Sequence, residues 1–174
     1  MESIVLGGGC FWCLESSFKL INGVESVVSG YAGGTEEDAN YHRVGTGRTG
    51  HAEVVNVTFD PTIISFTEIL DIFWAIHDPT TLNQQGNDIG PQYRSAIFYN
   101  SNNQKQLAEA SILNIQKLWN DPIVTEIVEL ETFYPAEDYH QNYFEKNPEN
   151  AYCQVIINPK LLKLRQKFAE RIKN

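Results

Sequence analysis

The order in which hydrophobic periodicities follow one another is the tightest constraint on this chain. An apolar strand pattern over Glu2–Leu6 leads into helical spacing through Cys10, Leu14, Phe18 and Ile21, and strand patterns follow over Val24–Tyr31 and Ala52–Phe59. In the second of these, Val55, Val57 and Phe59 alternate onto one face. Ser65 with Glu68 forms a capping box ahead of the stripe Phe66, Ile69, Leu70, Phe73 and Trp74, and Arg94–Tyr99 reads as the next strand. The order β-α-β-β-α-β is the split βαβ arrangement, which folds into one sheet with helices on a face. The expected fold class is therefore α/β (α+β): a two-layer sandwich with a ferredoxin-like βαββαβ core, a mixed, mostly antiparallel sheet and a C-terminal extension. In that extension Ser101 and Gln104 cap a helix running to about Trp119, and Val124–Leu130 adds a strand. A polar, aromatic segment then precedes a final helix with the stripe Leu161, Leu164, Phe168 and Ile172.

No internal repeat, Gly-Ser linker or charge block marks a boundary, so residues 1–174 are expected to form a single domain. With 42% apolar residues and 11% aromatics, the chain has the apolar surface that disordered sequences lack. The net charge of −9 argues against nucleic acid as a partner, because phosphate binding is driven by Lys and Arg. Six of the 13 positive charges fall between Lys160 and Lys173, where they read as the solvated face of the last helix. No stretch approaches the roughly 18 apolar residues of a membrane span. The start Met-Glu-Ser-Ile-Val lacks the basic and apolar regions of a signal peptide, so no membrane partner and a cytoplasmic location are expected.

The three cysteines, Cys10, Cys13 and Cys153, are expected to be reduced in that compartment, which makes the C-x-x-C pair a redox or metal candidate. Zinc is the weaker choice: Cys153 and His42, His51, His77 and His140 show no paired spacing to complete a site, and no metal or other cofactor is expected. Cys10 follows Gly7-Gly8-Gly9 at a strand-to-helix junction. The free N–H groups and positive end of the helix there favour a thiolate, hence an activated nucleophile. Phe11 and Trp12 beside it form an aromatic wall suited to a small apolar group, or else pack in the core. Gly45-Thr46-Gly47-Arg48-Thr49-Gly50 matches a dinucleotide fingerprint but follows a polar loop and leads into a strand, the wrong context. Glu53, at the start of the Ala52–Phe59 strand, is either a rim carboxylate or a buried acid kept protonated by desolvation. The long connections Ala32–Gly50 and Asp78–Gln92 are rich in Tyr and Asp, which favours a functional role.

The segments Gly-Gly-Cys10-Phe11-Trp12, Gly30-Tyr31-Ala-Gly-Gly, Tyr41 with Gly50-His51-Ala52-Glu53-Val54, Asn87-Asp88 with Gln92-Tyr93-Arg94-Ser95, and Tyr134-Pro135-Ala136-Glu137-Asp138-Tyr139-His140-Gln141 occur in that order. Together they resemble the A-type peptide methionine sulfoxide reductases, from about Ile4 to Phe168. The resemblance implies an enzyme acting on methionine S-sulfoxide in peptides and proteins, with thioredoxin as reductant. It also implies site roles: Cys10 as nucleophile, Phe11 and Trp12 in a pocket for the substrate methyl group, Glu53, Tyr41 and Tyr93 on the sulfoxide oxygen, and Asp88 as a further carboxylate.

The chemistry explains why such a set belongs together. A thiolate displaces a sulfoxide oxygen only if that oxygen gains protons, and the resulting sulfenic acid condenses with a nearby thiol. The sequence departs from much of the family in carrying Cys13 where many members have Gly, and in lacking a Gly-rich tail around Cys153. Cys13, one helical turn from Cys10, is the expected resolving thiol, with Cys153 as the alternative. Two other readings stand beside the first: a thioredoxin-like disulfide oxidoreductase using Cys10 and Cys13, and a non-catalytic module that binds methionine segments.

Overall fold

A computed structural model describes all residues from Met1 to Asn174. The chain runs β1 (Glu2–Gly7), α1 (Phe11–Lys19), β2 (Val24–Ala32), the one-turn α2 (Tyr41–Val44), β3 (Ala52–Phe59) and α3 (Phe66–Ala75). A two-residue hairpin, β4 (Gln84–Gln85) and β5 (Asp88–Ile89), and a 3-10 turn at Pro91–Tyr93 lead to β6 (Ala96–Tyr99) and α4 (Asn102–Ile115). Then come β7 (Glu126–Glu129), β8 (Phe133–Pro135), a 3-10 turn at Asp138–His140 and α5 (Tyr143–Lys146). A π-helical turn at Cys153–Ile157 runs directly into α6 (Asn158–Lys167).

The large sheet has the order β7-β6-β1-β3-β2-β8, and every neighbouring pair is antiparallel except β6 with β7. Its inner strands β6-β1-β3-β2 are those of the βαββαβ unit, so the expected mixed, mostly antiparallel sheet is the one observed. Ile4 faces Val57 and Leu6 faces Val55 in the register of β1 with β3. These residues bury against Phe18 of α1 and Ile69, Leu70 and Phe73 of α3 in one core. Truncating a buried Leu such as Leu70 to Ala is expected to cost about 2–5 kcal/mol.

The opposite face is buried too, which the helix-on-one-face expectation did not include. Val5, Ala32, Ala52, Val54, Ala96 and Phe98 form a second apolar cluster, against which Leu130 and Phe133 pack. Small side chains allow that close approach: a Cβ on Gly30 would meet the Phe133 ring at 2.5 Å.

Local signals in the sequence hold where the helices begin. Ser65 Oγ accepts from Glu68 N at 3.1 Å and Ser65 N donates to the Glu68 carboxylate at 2.8 Å. Ser101 Oγ caps α4 through Gln104 N, but the Gln104 side chain reaches instead to Glu2 and to the Ser3 carbonyl, tying α4 to β1. The long connections are not structureless: the first contains α2 and the second the β4–β5 hairpin. Residues 45–50 form the loop from α2 into β3, so the glycine fingerprint precedes a strand as read from the sequence. In α6, Leu161 and Leu164 are buried, while Phe168 and Ile172 are partly buried against the core.

Candidate active site

Cys10 is the extended N-cap residue of α1, held there by Gly9 at φ +97°, a conformation an L side chain resists. A Cβ on Gly9 would also lie 2.7 Å from the Gln85 side chain, so the glycine turn packs directly under the β4–β5 hairpin. On the next strand over, the alternation that turns Val55 and Val57 inward also turns Glu53 inward, opposite Tyr31 of β2. Glu53 is 2% exposed, and its Oε1 accepts the backbone N–H of Phe11 at 3.2 Å. Burial raises its carboxyl to about 8, with further upward pressure from Asp88 and Cys13, and the Phe11 N–H only partly opposes this. Glu53 is thus the buried acid, not the rim carboxylate.

The same environment overturns the expectation that the helix start makes Cys10 a resting thiolate. Burial, a hydrogen bond to Cys13 and the Glu53 carboxylate push the Cys10 thiol well above its ordinary value, against the single lowering contact from the Trp12 N–H. Cys13 moves the other way, to about 7, chiefly through the hydrogen bond from Cys10, with Lys160 and Tyr152 adding to it. The Tyr152 hydroxyl lies 3.6 Å from Cys13 Sγ and donates to Asp88 Oδ2 at 2.8 Å, so Asp88 reaches the thiols through that phenol. Cys153 is fully buried and packs in one apolar cluster with Cys10, Cys13, Ile157 and Leu161.

Tyr41 opens α2, whose N-cap Asn40 accepts from Arg43 N, and Tyr93 ends the 3-10 turn before β6. Desolvation, then the charge of Glu53, raises both phenols, Tyr41 to about 12, so each is a hydrogen-bond donor at neutral pH. An open cleft of about 570 Å³ lies against both rings and is bordered by Glu137 and Tyr139. Glu137 fixes this wall: it accepts from the Tyr31 hydroxyl at 2.8 Å and from Tyr41 N at 3.0 Å.

Phe11 is fully buried against Tyr31 and His140, while Trp12 is half-buried and stacks on Tyr143 at 3.6 Å with a 4° interplanar angle. The Trp12 indole N–H donates to His140 Nδ1 at 3.1 Å. The sequence pattern assigns no role to Tyr143 or Tyr152, and Glu137 and His140 enter it only within the Tyr134–Gln141 segment, with His140 also weighed as a zinc ligand. The available signal was the aromatic density of residues 133–152, which reads as loop until the chain folds back over α1. His77 and His51 spend both ring nitrogens on the scaffold, His77 on the Phe73 carbonyl and Ser95, His51 on Gly34 N and the Thr35 carbonyl. No group of three or more His, Cys, Asp or Glu side chains is placed to hold a metal ion.

Cys10, Cys13, Glu53, Tyr41, Tyr93, Asp88, Phe11 and Trp12 therefore converge on the N-terminal end of α1, through direct contacts or through mutual electrostatic influence. Such a set offers a nucleophilic sulfur, a buried proton and two phenolic donors beside an aromatic wall. Known proteins resemble the chain over nearly its whole length. The family model "Peptide methionine sulfoxide reductase" matches residues 2–172. A peptide methionine sulfoxide reductase MsrA from Leptospira borgpetersenii is 58% identical over 161 residues, covering 92% of each chain. Among solved structures, Saccharomyces cerevisiae Mxr1 in reduced form aligns with a TM-score of 0.83 at 39% identity, covering 87% of this chain and 88% of that one. Mxr1 in complex with Trx2 aligns with a TM-score of 0.59 at 30% identity, covering 82% and 84%. With likeness of that extent in both sequence and fold, the chain belongs to the peptide methionine sulfoxide reductase family.

Proposed function

We propose that the protein reduces methionine sulfoxide, free or within proteins, by thiol chemistry at Cys10, and that residues 1–174 act as one catalytic unit. The observation that carries this reading is a buried carboxyl, Glu53, that keeps its proton to about pH 8 at the helix start where Cys10 sits. A sulfoxide oxygen departs only as it is protonated, so a nucleophile without an adjacent proton donor would stall. Cys10 Sγ attacks the sulfoxide sulfur while Glu53 gives its proton to the oxygen, and Tyr41 and Tyr93 hydrogen-bond that oxygen as charge develops. The S–O bond breaks, and the substrate sulfur gains the two electrons that the Cys10 sulfur gives up. Methionine leaves as the bond between its sulfur and Cys10 Sγ breaks and the oxygen passes to Cys10 as a sulfenic acid, while the proton lost from the Cys10 thiol restores the Glu53 carboxyl. Cys13 then attacks Cys10 Sγ, and the hydroxyl leaves as water when the disulfide forms.

Phe11 and Trp12 bound the methyl group, and the S epimer is the proposed substrate. The disulfide must be reopened by an external dithiol; thioredoxin is the proposed donor, a role supported by the complex of Mxr1 with Trx2. No helix is long and apolar enough to cross a membrane. We place the reaction in the cytoplasm because its cycle needs a pool of reduced dithiols. Disulfide exchange between Cys10 and Cys13 alone is the weaker reading, since it uses neither a proton donor for oxygen nor an aromatic wall. The test is methionine formation from each sulfoxide epimer with dithiothreitol. Product from the S epimer is expected, and insulin-disulfide reduction without sulfoxide reduction would overturn the reading.

A further inference from the structure

Arg94 follows Tyr93 in the chain yet takes part in none of the steps above. Its side chain is largely buried, and each of its three nitrogens bonds to a different segment. Nη1 donates to the Pro91 carbonyl at 2.8 Å, Nη2 to the Gly50 carbonyl at 2.9 Å, and Nε to the Glu126 carboxylate at 3.0 Å. Pro91 O also accepts the Arg94 backbone N–H at 3.3 Å, so the guanidinium reinforces the bond that closes the 3-10 turn carrying Tyr93. Gly50, at φ +80°, lies where the loop from α2 enters β3, three residues before Glu53. The chain just past β2 closes over the same group: a Cβ on Gly33, itself at φ +107°, would sit 3.0 Å from Arg94 Nη2 and 2.9 Å from the Gly50 carbonyl oxygen. Glycine is required there both for its backbone and for its missing side chain.

Two side-chain hydrogen bonds join the segment around the Pro91–Tyr93 turn to the loop that enters β3. Gln92 Nε2 reaches the Gly45 carbonyl at 3.4 Å, whereas the Arg94 bond to Gly50 is 2.9 Å long and charge-assisted. A planar guanidinium also holds its partners at fixed mutual angles, which the point charge of a lysine cannot do. The spacing between the turn that presents Tyr93 and the strand that presents Glu53 is therefore set at Arg94. Transition-state hydrogen bonds depend on such placement, where a misplacement of about 1 Å costs roughly 10²-fold in rate.

We propose that Arg94 is a positioning residue whose guanidinium fixes the turn before β6 against the start of β3 and so aims the Tyr93 hydroxyl at the oxygen that Glu53 protonates. The inference rests on the reading of Tyr93 as a donor to the sulfoxide oxygen.

The test is single-turnover reduction of methionine sulfoxide by the full chain, in a cycle of Arg94→Met, Tyr93→Phe and the double variant. Each single change is expected to slow the limiting rate about fivefold or more, with the sulfoxide concentration at half-maximal rate altered less than about threefold. The double variant is expected to fall no more than about twofold below the slower single variant, because a misaimed hydroxyl has little left to lose. A purely structural role for Arg94 would lower stability but leave the two effects multiplicative, and that outcome would overturn the proposal. Arg94→Lys is expected to behave like R94M and carries the same cycle should R94M fail to fold; a wild-type rate in R94K would count against positioning by the planar fork. Glu126→Gln leaves the bonds to Pro91 and Gly50 in place and is expected to stay within about twofold of wild type, so a loss as large as that in R94M would refute control through the turn. With tyrosine rings labelled with carbon-13, the Tyr93 resonance, identified by its absence in Y93F, is expected to shift in R94M and R94K. An unchanged resonance would overturn the positioning role. Absence of sulfoxide reduction by the wild type would instead sink the underlying activity, while the Tyr93 resonance would still report on Arg94.

Discussion

The backbone N–H of Phe11 donates to Oε1 of Glu53 at 3.2 Å, joining residues 42 positions apart. This contact docks the start of α1 onto β3, and it puts the carboxyl beside the nucleophile without ionising it. A backbone donor stabilises the carboxylate, but removal from water opposes this more strongly, and the acid ends near 8. Desolvation wins because Glu53 is 2% exposed and no cation bonds to it.

Glu53→Gln keeps an acceptor for the Phe11 N–H but has no proton to give. The reductive step is expected to slow at least about 10²-fold, the lower range for loss of a general acid. In the wild type the same step should decline as pH rises through about 8, as Glu53 ionises, and that limb should vanish in E53Q. Single-turnover rapid quench across pH measures both, and a near wild-type rate would remove Glu53 from the chemistry.

The shift also makes a statement about stability. A carboxyl whose pKa rises from 4.5 to about 8 on folding binds its proton more tightly in the native state. Native stability from this group is therefore undiminished below 4.5, falls as pH rises between the two values, and stays reduced above 8. E53Q lacks this liability. Relative to wild type it is expected to gain on the order of a few kcal/mol at pH 9 over its difference at pH 4, read from urea unfolding.

Cys10→Ser is expected to abolish sulfoxide reduction with every reductant, since no other thiol sits at a helix start facing a protonated carboxyl. One equivalent of methionine formed per enzyme in that variant would place the nucleophile elsewhere.

Tyr41 and Tyr93 both feel the charges of Glu53 and Cys10, which places their hydroxyls within electrostatic reach of one centre. Replacing both with Phe is expected to slow the reductive step by more than the product of the single effects, because one donor partly covers for the loss of the other. A double-mutant cycle measures this, and strict additivity would argue against a shared oxygen.

The resolving step should fall to Cys13, which lies one helical turn from Cys10 and packs in the same cluster. Cys13→Ser is expected to yield one equivalent of methionine, accumulate a sulfenic acid trapped by dimedone and lose most turnover with thioredoxin. Cys153→Ser should retain turnover, because Cys153 is fully buried in the π-helical turn and has its thiol pushed up by burial. Peptide mapping that finds a Cys10–Cys153 disulfide after one turnover would reverse the assignment.

What the sequence by itself determined is whatever depends on short-range periodicity and capping. The alternation of Val55, Val57 and Phe59, the Ser65–Glu68 box and the glycine turn before Cys10 act within a few residues, so they read directly as β3, α3 and the start of α1. The inward turn of Glu53 was legible in the same alternation, which carries it to the face of Val55. Only the tertiary structure decided the charge states, because desolvation depends on what covers a group. Helix-start arguments made Cys10 a thiolate, whereas burial and the nearby Glu53 keep it a thiol. The second apolar face and the wall of His140, Tyr143 and Tyr152 were likewise decided by the fold. The wall comes from residues more than 120 positions from the start of the chain that carry no helical or alternating pattern in the sequence and meet α1 only in the folded chain.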